Sequence, residues 1–579
     1  MATRSTGMTE PADLVLTNGR VHTLAVPDPG DPRSWPGALA PGAPNDEPPE
    51  PDATAVAIRD GEIVTVGDDR DVQWLVGIET TEVDLDGATL LPGFIDAHTH
   101  MVQAGLALVN ADLSEAEDRG AALDRLAEQA NGDASGTAES ADTEWIVGVR
   151  YDESDWPSGE HPTRADLDRI ADDRPVAAVR VDLHTAVLNS VALDRLEDPD
   201  PEHVETAGDG DDTSICDGEP TGLVREDAVG VVEPVYDPDR EATEAAVRAA
   251  IEQATELGIT GVHDKVRNSH APRVYRDLDR ADDLDCRIRI DYWSDHREAL
   301  AELGLRTDDG TEMVRVGSLK TFTDGSIGGR SAKLQEPYAD ADRDAVEIAD
   351  DDHDDRDDHD DRDDRGTWVV DPEELRVIVA DAANADLQLQ AHAIGDEAIG
   401  ETIDALESVV GSEDLTAERH RIEHAELATD DQIVSMADRG IVASMQPNFH
   451  RWAREGGLYE TALGPERTAR SNRLRTVADA GVPLAFGSDG MPMDPLFGIE
   501  QAVTAPTEAQ SLSVGAALVA YTGGAAFAGF DEGRLGSIEV GKQADLVALS
   551  DSPWNDPGSI CAIDVELTVV GGTVVCNDR

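Results

Sequence analysis

Apolar and polar residues alternate in short runs at both ends of the chain. "ADLVLTNGRVHTL" (12–24) reads as a strand, an Asn-Gly turn and a second strand. "AVAIRDGEIVTVG" (55–67) repeats the pattern around Asp-Gly, and "EVDLDGATLLPG" (82–93) does so again. Near the other end, "GSIEVGKQADLVALS" (536–550) and "VELTVVGGTVVCND" (565–578) have the same character. Paired strand signals at both termini predict one β-sandwich built from residues 1–90 and 534–579.

Between them the period changes. Candidate strands are "WIVGVR", "PVAAVRVDLH", "ITGVHD", "VRVGSLKTF", "LQLQAHA", "RIEHA", "IVASMQP" and "VPLAFGSD". Helical patterns separate many of them, such as "DREATEAAVRAAIEQATELG" (239–258) and "DPEELRVIVADAANA" (371–385). Strand–helix alternation over this length predicts an α/β fold, a (β/α)8 TIM-like barrel across 91–533. The stretch from about 111 to 250 is too long for one βα unit and predicts an inserted subdomain. A chain of 579 residues has room for these parts.

Composition changes the picture of the surface. The 122 acidic residues outnumber 46 basic ones, giving a net charge of −76. Such a surface repels nucleic-acid phosphates and anionic membranes, so neither is an expected partner. The lysines are Lys265, Lys320, Lys333 and Lys542; arginine supplies the remaining basic charge. This composition resembles that of proteins from salt-loving archaea, where molar salt screens charge to about 3 Å. A cytoplasmic protein of a halophilic archaeon is the expectation. Residues 350–366, "DDDHDDRDDHDDRDDRG", read as a disordered acidic loop within about 340–366. Cys216, Cys286, Cys561 and Cys576 form no C-x-x-C pair, and no run approaches a membrane span.

The candidate chemistry sits at strand ends. "LPGFIDAHTH" closes on His98 and His100, which share one face if the strand persists. Lys320 follows in "GSLKTF", His392 in "LQAHA", His424 in "RIEHA" and Asp489 in "FGSD". In a parallel barrel those ends converge on one mouth. Imidazoles and a carboxylate suit zinc and similar divalent ions. A metal-activated water attacks carbonyls, and Asp489 could carry its proton to a leaving amine. A lysine carbamylated by CO2 is an anionic bridge between two ions. Each residue alone has a plainer reading: a hydrogen-bonded histidine, a solvated lysine, a turn at "GSDG". The joint order carries the metal reading.

The chain resembles the amidohydrolase superfamily, and within it the amidohydrolase 3 branch that includes N-substituted formamide deformylases. "LPGFIDAHTH" is similar to the first metal motif, and "GSLKTFTDGSIGGRSAKLQEPY" to the branch's lysine motif. "QAHAIGDEAI", "RIEHAEL", "MQPNFH" and "FGSDGMPMDPLFGI" follow in family order. "VGVRYDESDWPSGEHPTRADLD" and "RPVAAVRVDLHTAVLNSVAL" also resemble branch segments. "YTGGAAFAG" departs from the pattern, with Gly-Gly-Ala-Ala in place of Asn-Pro-Ala. The resemblance implies a metal shell of His98, His100, Lys320, His392, His424 and Asp489 holding one or two zinc ions, with Asp489 also catalytic. It implies substrate or supporting contacts from His184 and His263, and substrate-side roles for Trp156 and Arg330.

The expected activity is hydrolysis of a non-peptide C–N bond in a small-molecule amide, with self-association possible. A mononuclear deaminase of a heterocycle is the enzymatic alternative; a bridging lysine weighs against it. A non-catalytic regulatory protein on the same fold is the other, and its mark would be a lost ligand.

Overall fold

The computed structural model describes residues 10–26, 48–113, 116–130, 145–153, 156, 158–180, 185–196, 204–206, 220–225, 238–340, 365–410 and 415–579. His184 and nearly all of the acidic 350–366 segment lie outside the described residues. The chain divides into two units. The first holds 1–100, 253–267 and 278–579; the second holds 101–252 and 268–277.

The first unit is organised around eight parallel strands. In chain order they are β1 (Phe94–Thr99), β2 (Ile259–Val266), β3 (Arg287–Trp293), β4 (Val314–Phe322), β5 (Gln388–Ala393), β6 (Arg421–His424), β7 (Val442–Met445) and β8 (Leu484–Phe486). Each pairs with its successor in sequence. The result is an α/β barrel of TIM type, nearly closed. No ladder joins β8 to β1, but the segment after β8 crosses that gap. Ser488 donates its backbone N–H to Asp96 Oδ1 at 3.0 Å, and Asp489 donates to the His98 carbonyl at 2.7 Å. Gly487 makes the approach possible, since a Cβ there would lie 2.4 Å from His98 N.

The helices between strands follow local signals. Pro372–Asn384 starts at Asp371, whose side chain accepts from Glu373 N and Glu374 N, with Pro372 in the first turn. Asp430–Arg439 opens with a Thr429/Gln432 capping box and ends at Gly440 in the left-handed region.

Two of the candidate strands fall within 111–250, the stretch expected to be inserted, and one barrel strand is not among the candidates. Ile146–Tyr151 and Val176–Arg180 are strands, but of a six-stranded sheet in the second unit. Its two faces carry separate apolar clusters, one with Ile146, Val176 and Val187, the other with Val147, Ala177 and Ala186. The third barrel strand is instead "RIRIDYW" (287–293). Its charges are inside and paired: Arg287 with Asp545 at 2.6 Å, Arg289 with Asp531 at 2.7 Å, Asp291 with Lys265 at 2.6 Å. Buried charges persist only where such partners replace water.

The terminal segments of the first unit form two smaller sheets. One has four strands in the order Glu62–Gly67, Ala55–Arg59, Leu14–Thr17, Thr81–Asp84. The other has five: Arg20–Val21, Thr89–Pro92, Leu546–Leu549, Val565–Val570, Thr573–Asn577. Leu14, Leu16, Val56 and Ile58 share one apolar cluster with Leu90, Leu546, Leu567 and Val569. The alternate positions Val15, Ala55 and Ala57 pack on Val72 and Leu75, as a period of two requires.

Candidate metal centre

The first barrel strand delivers the histidine pair. His98 is the last but one residue of β1 and His100 follows the strand. Their ring centroids are 5.7 Å apart. From across the closure Asp489 Oδ1 faces both, 3.5 Å from His98 Nε2 and 3.2 Å from His100 Nε2. One ligand atom from each of the three falls within 4.8 Å of the others, close enough to share an ion. Asp489 adopts φ 55°. A strained backbone at a converging carboxylate is the kind of local cost found at functional sites.

The neighbouring strands bring two more imidazoles. His424, at the end of β6, lies 4.8 Å from His98 and 4.5 Å from His392, ring to ring. Phe322 stacks on His392 at 4.2 Å. His424 and Ala425 both have positive φ, 72° and 49°, so the chain turns sharply to hold this ring.

The hydrogen bonds select the tautomers. His98 Nδ1 meets Glu423 Oε2 at 2.5 Å, His424 Nδ1 meets Gln446 Oε1 at 2.7 Å, and His392 Nε2 meets the Gly325 carbonyl at 2.9 Å. Each of these oxygens accepts, so each ring donates on that side and keeps a lone pair on its other nitrogen. That is the state a metal ligand needs. Burial favours it further. It pushes His424 down to about 4, and His98 and His392 well below their ordinary value, so all three are neutral at pH 7. Burial would raise the Asp489 carboxyl, but it is held ionised, well below the usual carboxylate range, first of all by its hydrogen bond to His100. Glu423 is likewise held low, because Arg421, Lys265 and His98 outweigh its burial.

Lys320 is 1% exposed and its Nζ has no hydrogen-bond partner among the described residues. The nearest aromatic face is Phe322, with Nζ 4.7 Å from the ring centroid. Burial pushes Lys320 down to about 7, so a large fraction is the free amine at neutral pH. A buried amine without a partner fits a site whose remaining component is absent from the protein chain.

The other expected site residues are placed differently. Arg330 folds back on its own loop. It pairs with Asp340 at 2.6 Å and donates to the Ile327 and Gly328 carbonyls at 2.9 and 3.0 Å. Trp156 is a core residue of the second unit: it packs near Tyr151, and its indole N–H donates to the Ala116 carbonyl at 2.8 Å. His263 is buried in the barrel, where its Nδ1 accepts from Arg421 Nη1 at 2.8 Å. Its ring lies beside Gly529, in a supporting position.

Sequence reasoning missed Glu423, Arg421, Gln446 and Asp324. Arg421 and Glu423 leave a signal, since two opposite charges at i and i+2 of an apolar strand mark a paired interior. Asp324 accepts from Lys333 N, Ile394 N and Gly395 N and lies 3.7 Å from His392 Nε2; it pins the loops after β4 and β5.

Comparison with known proteins agrees with this architecture. The chain is 27% identical over 545 residues to a protein of Bacillus subtilis described as putative amidohydrolase YtcJ, covering 90% of this chain and 95% of that one. It is 25% identical over 556 residues to the N-substituted formamide deformylase of Arthrobacter pascens, covering 90% and 94%. A crystal structure of an uncharacterized metal-dependent hydrolase from Pyrococcus furiosus superposes with a TM-score of 0.71 at 25% identity, covering 94% of this chain and all of that one. Residues 81–576 match the model of the amidohydrolase family, and the chain therefore belongs to that family.

Proposed function

We propose that this protein is a metal-dependent amidohydrolase that hydrolyses a non-peptide amide C–N bond in a small molecule. The observation that carries the reading is the convergence of His98, His100 and Asp489, with ligand atoms within 4.8 Å, at the C-terminal ends of the barrel strands. His392, His424 and Lys320 complete the set, and they suit one or two zinc ions. A bound divalent ion supplies Lewis-acid charge and makes water a nucleophile near neutral pH.

The protein groups then have distinct tasks. His98, His392 and His424 present lone pairs because their other nitrogens are held by Glu423, Gly325 and Gln446. Asp489, kept ionised, is placed to take a proton from the attacking water and give it to the leaving nitrogen. Lys320, as the free amine, is suited to capture CO2 and offer the resulting carbamate as an anionic ligand. The relative from Arthrobacter pascens, described as a deformylase of N-substituted formamides, makes that amide class the first to try. The two terminal sheets read as one composite sandwich, supported by their shared apolar cluster.

Metal analysis of the purified protein, with a panel of formamides, acyl amines and cyclic ureas, tests the reading. We expect bound zinc and turnover of an amide, and loss of both in His98→Ala/His100→Ala. Equal metal content in the wild type and that double variant would sink it.

A further inference from the structure

The imidazole of His98 is constrained from several strands at once. Glu423, on β6, brings Oε2 to 2.5 Å from its Nδ1 across a sequence separation of 325 residues. Glu423 is itself held. Arg421, two residues earlier on the same strand face, donates Nε to Oε1 at 2.8 Å and Nη2 to Oε2 at 3.1 Å. Arg421 also donates to the Ala97 carbonyl at 2.7 Å, Ser444 Oγ at 2.8 Å and His263 Nδ1 at 2.8 Å. The same Ala97 carbonyl accepts from Lys265 Nζ at 3.0 Å. Arg421 and Glu423 have no exposed side-chain surface, whereas the His100 side chain is 28% exposed.

We propose that Glu423, locked by Arg421, is the positioning residue that sets the tautomer and orientation of His98 before any metal ion arrives. The inference rests on the metal-hydrolase reading above. Both Glu423 oxygens are already engaged, by Arg421 and by His98, so the carboxylate is a poor candidate for a ligand of its own. Because it accepts a hydrogen bond from Nδ1–H, the His98 lone pair is left on Nε2, the nitrogen that faces Asp489. The Arg–Glu pair has no net charge, so it directs the ring without altering the charge of the ligand set. His263 finds its role here, as an acceptor that completes the Arg421 hydrogen bonds.

Two measurements test this on the full chain. Protein labelled with 15N-histidine and stripped of metal reports the His98 tautomer by NMR, assigned by the resonances lost in His98→Ala. Calorimetric titration with zinc ion reports affinity in the wild type and in Glu423→Gln. We expect the Nδ1–H tautomer in the wild type. We expect mixed tautomers in Glu423→Gln, with zinc affinity lowered by about 10–100-fold under conditions where the metal-free variant is still folded, although its melting temperature falls because Arg421 loses its buried partner. Should Arg421 left without its partner unfold that variant, Arg421→Gln/Glu423→Gln carries the same test with no orphaned charge. An Nε2–H tautomer in the wild type overturns the proposal. So does zinc affinity within about twofold of wild type in the folded variant. A wild type that binds no zinc removes the metal reading instead, and the metal-free tautomer still decides the role of Glu423.

Discussion

Asp489 is tied to His98 twice: its backbone N–H donates to the His98 carbonyl at 2.7 Å, and its carboxylate stands 3.5 Å from the His98 Nε2. Closing the barrel and assembling the ligand set are therefore one event. A change at this seam acts on both stability and chemistry.

Asp489→Asn separates proton transfer from ligation. It preserves size and one oxygen but cannot take a proton from water. With a substrate that the wild type turns over, kcat should fall by about 10²–10⁴-fold while zinc content stays near wild type. Retained zinc together with most of the kcat would remove Asp489 from the proton-carrying role.

Gly487→Ala attacks the seam from the backbone. The added Cβ would lie 2.4 Å from His98 N and 2.6 Å from His98 Cβ, and neither is the end of a flexible side chain. We expect a loss of about 1–3 kcal/mol or more, read as a lower midpoint in denaturant, together with weaker zinc binding. Gly490→Ala is the control for glycine removal, since nothing lies within 4 Å of a Cβ there. It should leave zinc binding intact, although its own positive φ makes it mildly destabilising.

Lys320→Ala tests the carbamate. Activity should drop by at least about 10–100-fold and return in part when a short carboxylate and zinc are added together. Crystallography of the wild type should show density continuing beyond Nζ. A bare ammonium beside a single ion would favour the mononuclear alternative.

His450 supplies a pH test on a residue outside the proposed ligand set. It is 3% exposed, neither ring nitrogen has a hydrogen-bond partner among the described residues, and burial pushes it down to about 4 from a usual 6.5. Between those values the folded protein binds fewer protons than the unfolded chain. Stability therefore falls as pH drops from about 6.5, and the loss is complete below about 4, with a ceiling of about 3 kcal/mol. His450→Leu lacks this titration. Unfolding measured at pH 7 and pH 5 should show the wild type losing more stability on acidification than the variant. Equal losses would mean that His450 is not buried as the neutral form.

What could be read in advance was what local pattern controls. His98 and His100 announce themselves because a strand repeats every two residues and the pair falls at a strand end. The Asp371-Pro372 start of a helix is equally local. By contrast, Ile146–Tyr151 and Val176–Arg180 look like any buried strands, and nothing in their sequence names the sheet they join. Strand β3 was hidden because Arg287, Arg289 and Asp291 make an interior strand look solvated; their partners Asp545, Asp531 and Lys265 are distant in sequence or on another strand. The contacts of Trp156 and Arg330 were hidden for the same reason. The partners that occupy them, the Ala116 carbonyl and Asp340, are visible only in three dimensions.

The seam also sets a timetable. Asp96 and Ser488, which clasp each other at the closure, are 392 residues apart in the chain. At about 5–20 residues per second, a ribosome needs roughly 20–80 s to pass from one to the other. Throughout that interval β1 carries its histidines without the strand that covers them, an exposed apolar edge awaiting a distant partner. A metal ion held by His98, His100 and Asp489 would then report that synthesis has passed the barrel's last strand, because that site cannot take shape before Asp489 is made.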